Sequence, residues 1–441
     1  MSAFAGRLRP RTRELLSLIV VGVLIAIGFA SVYIARESHV STASLSYALF
    51  FFGLYVAAHI VARFTVPNAD PYLLPVAGLL AAIGLTEIYR IGPSSAFKQG
   101  FWVVLSVTVF GATLILLRRD YRVLESYKYL FGLTAIFLLF LPLVPALGQT
   151  VNGARLWVHV GSLQFQPGEL GKIALILFLA GYLREKREVL AQGRLKDWGP
   201  LLVIWGGAML VLFATDDLGS ALLYYGIFLG MVYVATNRVA FVAGFLALFA
   251  IGAIGVYQKT PHVRERVTIW LHPWTDHKVY CPLNGGQALR QDCESYQLVK
   301  SLYSIGHGGF GGTGLGKGTF TTASGRPLIP YLNTDFIYSA LAQELGLVGV
   351  SALLLLFTVF VLRGFRTAVG APDGFSKLLA AGLTFGFAVQ TFIIVGGILR
   401  LIPLTGITLP FVSYGGSSVL ANFVLLALLM LVSDRANREP A

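Results

Sequence analysis

Hydrophobic positions in this chain do not alternate with polar ones; they run together. Twelve segments of about 20 predominantly apolar residues recur, the length one bilayer crossing needs. Their limits read 14–35, 45–64, 72–91, 99–117, 128–147, 169–183, 199–215, 218–236, 239–257, 335–362, 376–399 and 404–432. In hydrocarbon each crossing must satisfy its own backbone hydrogen bonds, so each is expected to be a helix. The sixth run is short, and its span can start earlier. The last contains Pro410, Gly415 and Gly416 and is expected to be kinked or broken. No cleavable signal peptide is expected, because the first run is long and no small-residue cleavage site follows it.

Composition agrees. Of 441 residues 56% are hydrophobic and 12% charged, against about 25% charged in soluble domains. The fold class is therefore an all-α polytopic membrane protein with about 12 transmembrane helices. The formal charge of +13 fits basic cytoplasmic loops better than nucleic-acid binding, for which there is no soluble basic domain. With the N-terminus inside, twenty Lys and Arg fall on short inner segments and five on short outer ones: Arg36, Arg90, Lys98, Arg155 and Arg400. This bias puts both termini in the cytoplasm and one long loop, 258–334, outside.

That loop holds Trp270, Trp274, both cysteines, an amphipathic stretch from Tyr296 to Ile305, and a glycine-rich run from Gly306 to Gly318. Leu298, Leu302 and Ile305 recur at helical spacing, so a short helix on the membrane surface is expected. Cys281 and Cys293 share the loop, which allows a disulfide on an oxidising side. No zinc-type spacing occurs. Gly311 to Lys317 fits G-x-x-x-x-G-K, but Gly318 stands where a nucleotide-binding loop needs Ser or Thr.

Ionisable residues within or beside spans are costly and mark function by default. Glu169 and Lys172 share one helix face, as a structural ion pair or a functional one. Asp216 and Asp217 form a solvated turn or supply a helix cap. Asp335 stands where the long loop re-enters the membrane, with Glu344 nine residues on. Position allows it to be a helix cap, or a general base whose pKa is raised at the rim of an apolar site. Arg400 precedes the small and hydroxylated stretch around Ser413, where a broken helix would suit a polar substrate.

Four motifs occur together. They are Asn152-Gly153-Ala154-Arg155 with Phe165-Gln166-Pro167 and Glu169-Leu170-x-Lys172; Asp217-Leu218-Gly219-Ser220; Gly314-Leu315-Gly316 with Thr334-Asp335-Phe336-Ile337 and Glu344-Leu345-Gly346; and Pro410 to Ser418. In this the chain resembles the SEDS proteins, which include RodA, FtsW and SpoVE, over roughly residues 72–434. Gly168, Gln343 and Thr215-Asp216 depart from the family pattern, which has Ser, Glu and Gln-Pro there.

The resemblance implies a ten-helix core at 72–434 preceded by two extra helices within 1–71 and followed by a short tail, 435–441; twelve spans are more like RodA than FtsW. It implies an inverting peptidoglycan glycosyltransferase of the bacterial cytoplasmic membrane, serving elongation or division. Such proteins transfer the growing strand from undecaprenyl diphosphate to the GlcNAc 4-hydroxyl of lipid II, on the outer face. It implies a class B penicillin-binding protein as partner, no nucleic acid, and a divalent cation (Mg or Mn) for the diphosphate, with Asp335 as one conceivable ligand. On this reading Asp335 is the catalytic base. The substrate-binding candidates are Arg155, Trp157, Glu169, Lys172, Asp217, Lys317, Glu344, Arg400 and Ser413. Lys172 or Arg155 is a candidate for the diphosphate and Trp157 for the sugar path. A lipid II flippase, with polar residues through both halves of the bilayer, and a non-catalytic scaffold are the competing functions.

Overall fold

The computed structural model describes residues 9–37, 42–145, 147–151, 154–160, 163–191, 198–215, 217–281, 285–322 and 324–438. Asn152, Gly153, Asp216, the inner-loop Arg194 and Lys196, and the start of the basic N-terminal tail lie outside the described residues, as do residues 439–441.

A helix stands at each expected apolar run. In chain order these are α1 (Pro10–Glu37), α2 (Thr42–Thr65), α3 (Leu73–Ile91), α4 (Pro93–Leu117), the one-turn α5 (Val123–Ser126), α6 (Lys128–Phe140), α7 (Pro167–Ala191), α8 (Gly199–Ala214), α9 (Leu218–Thr236) and α10 (Val239–Lys259). The long loop contributes α11 (Pro261–Leu271) and α12 (Tyr296–Gly308), and α13 (Ile337–Val369), α14 (Gly374–Ile398) and α15 (Gly416–Ala436) complete the bundle. Among the described residues nine helices are long and apolar enough to cross a membrane. The charged α7 and the shorter α6 and α8 occupy the three other expected positions.

Several expectations are corrected in detail. The sixth segment is not short: α7 has 25 residues, because its charged ends remain helical beyond the apolar stretch. The last helix starts at Gly416, not near 404; residues 401–415 run as irregular chain into the bundle. A Cβ at Gly416 would lie 2.1 Å from the Trp102 ring, so only glycine allows α15 to begin there. The region after α6 is a small antiparallel sheet, β1 (Gly148–Val151), β2 (Ala154–Val160) and β3 (Leu163–Phe165), in the order β1-β2-β3. The amphipathic α12 buries Leu298, Val299 and Ser301 against protein. Ser301 Oγ lies 2.5 Å from Ser339 Oγ and Ser304 donates to Gln343 (2.9 Å), so α12 packs on α13 rather than only on the membrane surface.

Helix α13 breaks at Gly346 (φ 65°, ψ −171°), and the glycine-rich run braces the break. The Thr313 and Gly314 amides donate to the Gln343 and Glu344 carbonyls (3.0 and 2.9 Å). The Leu347 amide donates back to the Gly309 carbonyl (2.9 Å). The backbone groups freed by the break are thus paired, as a low-dielectric setting demands. Cys281 on β4 (Val279–Cys281) and Cys293 form a disulfide with Cα atoms 5.8 Å apart, tying β4 and its partner β5 (Gly286–Ala288) to the start of α12.

At the other end of the bundle, Glu14 on α1 accepts from Arg11 and from His59 on α2 (2.6 Å for the latter). Arg11 also donates to the Ala69 carbonyl, and Arg363 pairs with Asp70 at 3.2 Å. The Arg11 and Glu14 bonds tie α1 to α2 and to the turn before α3, and the Arg363 pair ties that turn to α13.

Candidate functional site

One cavity of about 1240 Å³ opens at a single end of the bundle. Its walls come from the last turns of α1 and α3, the first turns of α2 and α4, the β-sheet, α11, and the loops before α9, α13 and α15. Polar residues gather on one side: Asp335, Asp217, Arg266, Thr334, Thr405, Thr408, Gln164 and Gln166, with Trp157 beside them. The other side is mostly aromatic and aliphatic.

Asp335 sits in the turn before α13 and does not cap it; the cap position is Phe336, without a side-chain cap bond. The Thr334 and Asp335 amides both donate to the Tyr331 carbonyl (3.1 and 3.2 Å), and Tyr331 holds φ at 58°. A bulky residue in that region costs about 1–3 kcal/mol, strain of the kind that gathers at functional sites. Burial pushes the Asp335 carboxyl up to about 6, opposed by a Thr334 hydrogen bond and the Arg266 charge. Asp217 does cap its helix, accepting from the Ser220 amide (2.9 Å), and burial raises its pKa against that bond.

Arg266 gave no sequence signal. It belongs to no apolar run or motif, and only the fold of the long loop swings α11 across the mouth. There it donates to the Thr405 carbonyl (3.2 Å) and faces both acids. Lys98, at the start of α4, also lines the cavity.

The remaining candidates do not line the cavity. Lys172 is buried, bonded to Glu169 (2.8 Å) and Gln390 (2.6 Å). Glu169 lies 3.3 Å from the Thr408 hydroxyl, and Gln390 donates to the Thr408 carbonyl (2.9 Å). This closed network fixes Thr408 in the cavity wall. Ser413 donates to the Thr334 carbonyl (2.6 Å) and accepts from the Leu409 amide (2.9 Å), locking the 401–415 segment to the Asp335 turn. Gln99 clasps the same segment from α4, through the Ser413 carbonyl (3.3 Å) and the Gly415 amide (3.1 Å).

Glu344 accepts from the Gly316 and Gly318 amides (2.7 and 2.9 Å) and pairs with Arg90 (3.3 Å), outside the cavity. Lys317 is exposed on the glycine-rich run. Arg400 donates to the Trp270 and Leu271 carbonyls (2.8 and 3.0 Å), capping the C-terminus of α11. Arg155, on β2, is tied to the Thr215 carbonyl through its amide (3.3 Å) and does not line the cavity. Among the described residues no group of three or more His, Cys, Asp or Glu could hold a metal ion by itself.

Comparison with known proteins accords with this architecture. The chain is 39% identical to the peptidoglycan glycosyltransferase RodA of Mycobacterium tuberculosis, covering 97% of this chain and 91% of that one. It is 35% identical to the stage V sporulation protein E of Bacillus subtilis, over 83% of this chain and 97% of the other. Among solved structures, a chain reported under "Structural coordination of polymerization and crosslinking by a peptidoglycan synthase complex" aligns with TM-score 0.67 and 28% identity, over 84% and 99% of the two chains. The crystal structure of the rod shape determining protein RodA of Thermus thermophilus aligns with TM-score 0.59 and 25% identity, over 83% and 96%. The FtsW/RodA/SpoVE family, described as "Cell cycle protein", matches residues 72–438, and the chain belongs to that family.

Proposed function

We propose that this protein is a peptidoglycan glycosyltransferase that lengthens glycan strands from lipid II on the outer face of the bacterial cytoplasmic membrane. The observation that carries the reading is a single cavity joining a polar pocket, with a half-buried carboxylate whose pKa is raised to about 6, to an apolar wall. Its substrate has the same two-part character: sugars and a diphosphate joined to a polyprenyl chain. Homologues named peptidoglycan glycosyltransferase, 39% identical over nearly the full chain, support the same activity.

Asp335 acts as general base. It takes the proton of the GlcNAc 4-hydroxyl as that oxygen attacks C1 of the muramyl residue ending the growing strand. The C1–oxygen bond to undecaprenyl diphosphate breaks, and the configuration inverts. A base with a pKa near 6 is ionised at neutral pH yet basic enough to accept a proton in the transition state. Arg266 and Lys98 supply positive charge for the leaving diphosphate. A divalent cation would fit here only with substrate oxygens completing its shell: Asp217 or Asp335 offers the one or two carboxylates that Mg²⁺ or Mn²⁺ uses beside phosphate. When bound it would disperse diphosphate charge.

The outer location rests on the positive-inside bias, since the helix ends lining the cavity are those the bias puts outside. A flippase would need a polar path through both halves of the bilayer, which such a one-ended cavity does not favour. The aligned chain from a synthase complex that polymerises and crosslinks supports pairing with a class B penicillin-binding protein.

The test incubates purified protein, that partner and lipid II with moenomycin present, and resolves products by gel. Glycan polymer, lost in Asp335→Asn at equal folded protein, is expected. Absence of polymer from the intact complex would overturn the reading.

A further inference from the structure

The family match begins at residue 72, so α1 and α2 lie outside it. Both nonetheless line the cavity, through Phe29 on α1 and Tyr47, Phe50 and Phe51 on α2. Phe29 is buried and stacks on Tyr47 (6.1 Å between centroids); both approach Tyr89 of α3 (5.7 and 5.8 Å). Beside them, Phe97, Phe101 and Trp102 line it from α4, which packs on α2: a Cβ at Gly100 would lie 3.5 Å from the Phe51 ring. The two leading helices therefore do more than cover the core: they complete a wall of its cavity.

The wall has a buried end and an open end. Phe29 and Phe51 are shielded, whereas Phe50 is 53% exposed, Phe101 53% and Phe97 75%. Exposed rings on α2 and α4 thus stand together on the outer side of the bundle at the same end, where hydrocarbon would meet them. At the inner end Trp102 packs against Gly416 and so adjoins the polar side of the cavity, where Tyr414 and Gly415 also line it. A ligand reaching from Asp335 to these exposed rings must be polar at one end and apolar along the other. The volume, about 1240 Å³, exceeds the 300–1,000 Å³ or so of most small-molecule pockets, as a ligand with both a polar and an apolar part requires.

We propose that α1 and α2 form, with α4, a binding site for the polyprenyl chain of the diphosphate-linked substrate, so that the N-terminal extension sets how strongly the enzyme discriminates by carrier-chain length. This rests on the reading of the cavity as the glycosyl-transfer site. Aromatic rings suit an unsaturated, methyl-branched chain: they are flat, stiff and lose little conformational freedom on contact. The chain's burial draws on apolar packing against rings rather than on any hydrophobic gain over lipid, since the bilayer is equally apolar. Selection for chain structure therefore comes from the shape of the wall.

Two measurements test this on the full-length protein. The first compares steady-state kinetics on lipid II analogues carrying an undecaprenyl or a farnesyl chain. Phe50→Ala and Phe97→Ala are expected to raise KM for the long-chain substrate about tenfold, with less than about a twofold change for the short one and kcat retained. Phe64→Ala, 78% exposed on α2 but outside the cavity, is the control and should change neither. Equal effects of Phe50→Ala on both substrates, or none on either, would overturn the proposal.

The second measurement needs no turnover, so it separates this inference from the glycosyltransferase reading. Undecaprenyl diphosphate bearing a photoreactive group on its chain is crosslinked to protein in nanodiscs, and the adducts are mapped by mass spectrometry. Adducts on 46–51 and 97–104, competed by unlabelled undecaprenyl diphosphate and not by phospholipid, are expected. Adducts confined to other helices, or displaced equally by phospholipid, would sink the site even if polymerisation is robust. Adducts at the site in a protein that makes no polymer would uphold the site and refute the transfer reaction alone.

Discussion

Replacing Asp335 by Asn should sharply lower turnover while making the protein more stable, and the stability gain should depend on pH in a set direction. Holding this carboxyl at about 6 instead of 3.8 costs about 3 kcal/mol of folding free energy once both folded and unfolded forms are ionised. Below pH 3.8 the group is neutral in both states and the cost vanishes. Between 3.8 and about 6 the unfolded chain ionises first, so wild-type stability falls as pH rises. Above that window the penalty is complete.

Asn carries no charge and escapes this term, in which the Thr334 hydrogen bond to the carboxylate is already counted. A gain of about 3 kcal/mol at pH 7.5 follows. Thermal unfolding of both proteins in the same detergent, at pH 7.5 and at about pH 4, measures it. The variant should unfold a few degrees higher at pH 7.5, with the gap closing at pH 4. Turnover should fall about 10²–10⁴-fold, the worth of a positioned base. A variant less stable at pH 7.5, or a gap indifferent to pH, would refute the claim that burial strains this carboxylate.

Other outcomes follow from the same geometry. Wild-type polymerisation should be half-maximal near pH 6 and decline about tenfold for each pH unit below, as Asp335 takes up its proton; an acid limb centred near pH 4 would point to a different base. Ser413→Ala strands the buried Leu409 amide and loosens the Thr334 carbonyl, costing about 1–3 kcal/mol and lowering kcat more than it raises KM; unchanged kinetics would deny it a positioning role. Lys172→Met leaves Glu169 charged and unpaired, at about 3–5 kcal/mol, whereas Glu169→Gln with Lys172→Met should recover much of that stability, read by thermal unfolding; additive losses would argue against the pair. Gly346→Ala forces a Cβ to 2.2 Å from the Gly312 nitrogen at φ 65°, so folded yield on size-exclusion chromatography should collapse; wild-type yield would mean the break in α13 is not braced as described.

The apolar pattern along the chain was enough to place the helices of the bundle. Twelve apolar runs sufficed to place a helix at each, because a crossing segment must carry its own hydrogen bonds and its length is set by the bilayer. It also flagged Asp335 and Asp217, since an acid beside a span is costly enough to be conspicuous. It even marked the break before α15, through Pro410 and the glycines that follow.

Which of the flagged residues meet depends on how the helices pack. Glu169, Lys172 and Ser413 satisfy their polar groups on one another and on backbone, so they fix the wall instead of lining the cavity. Glu344 faces the glycine-rich run, and Arg400 the end of α11. Arg266 and Gln99 reach the site through contacts hundreds or scores of residues apart in the chain, which no local pattern encodes. Even the rings of α1 and α2 read as ordinary lipid-facing aromatics along the chain. They become part of a cavity because helix packing, not helix formation, sets which face meets a neighbour and which is left open.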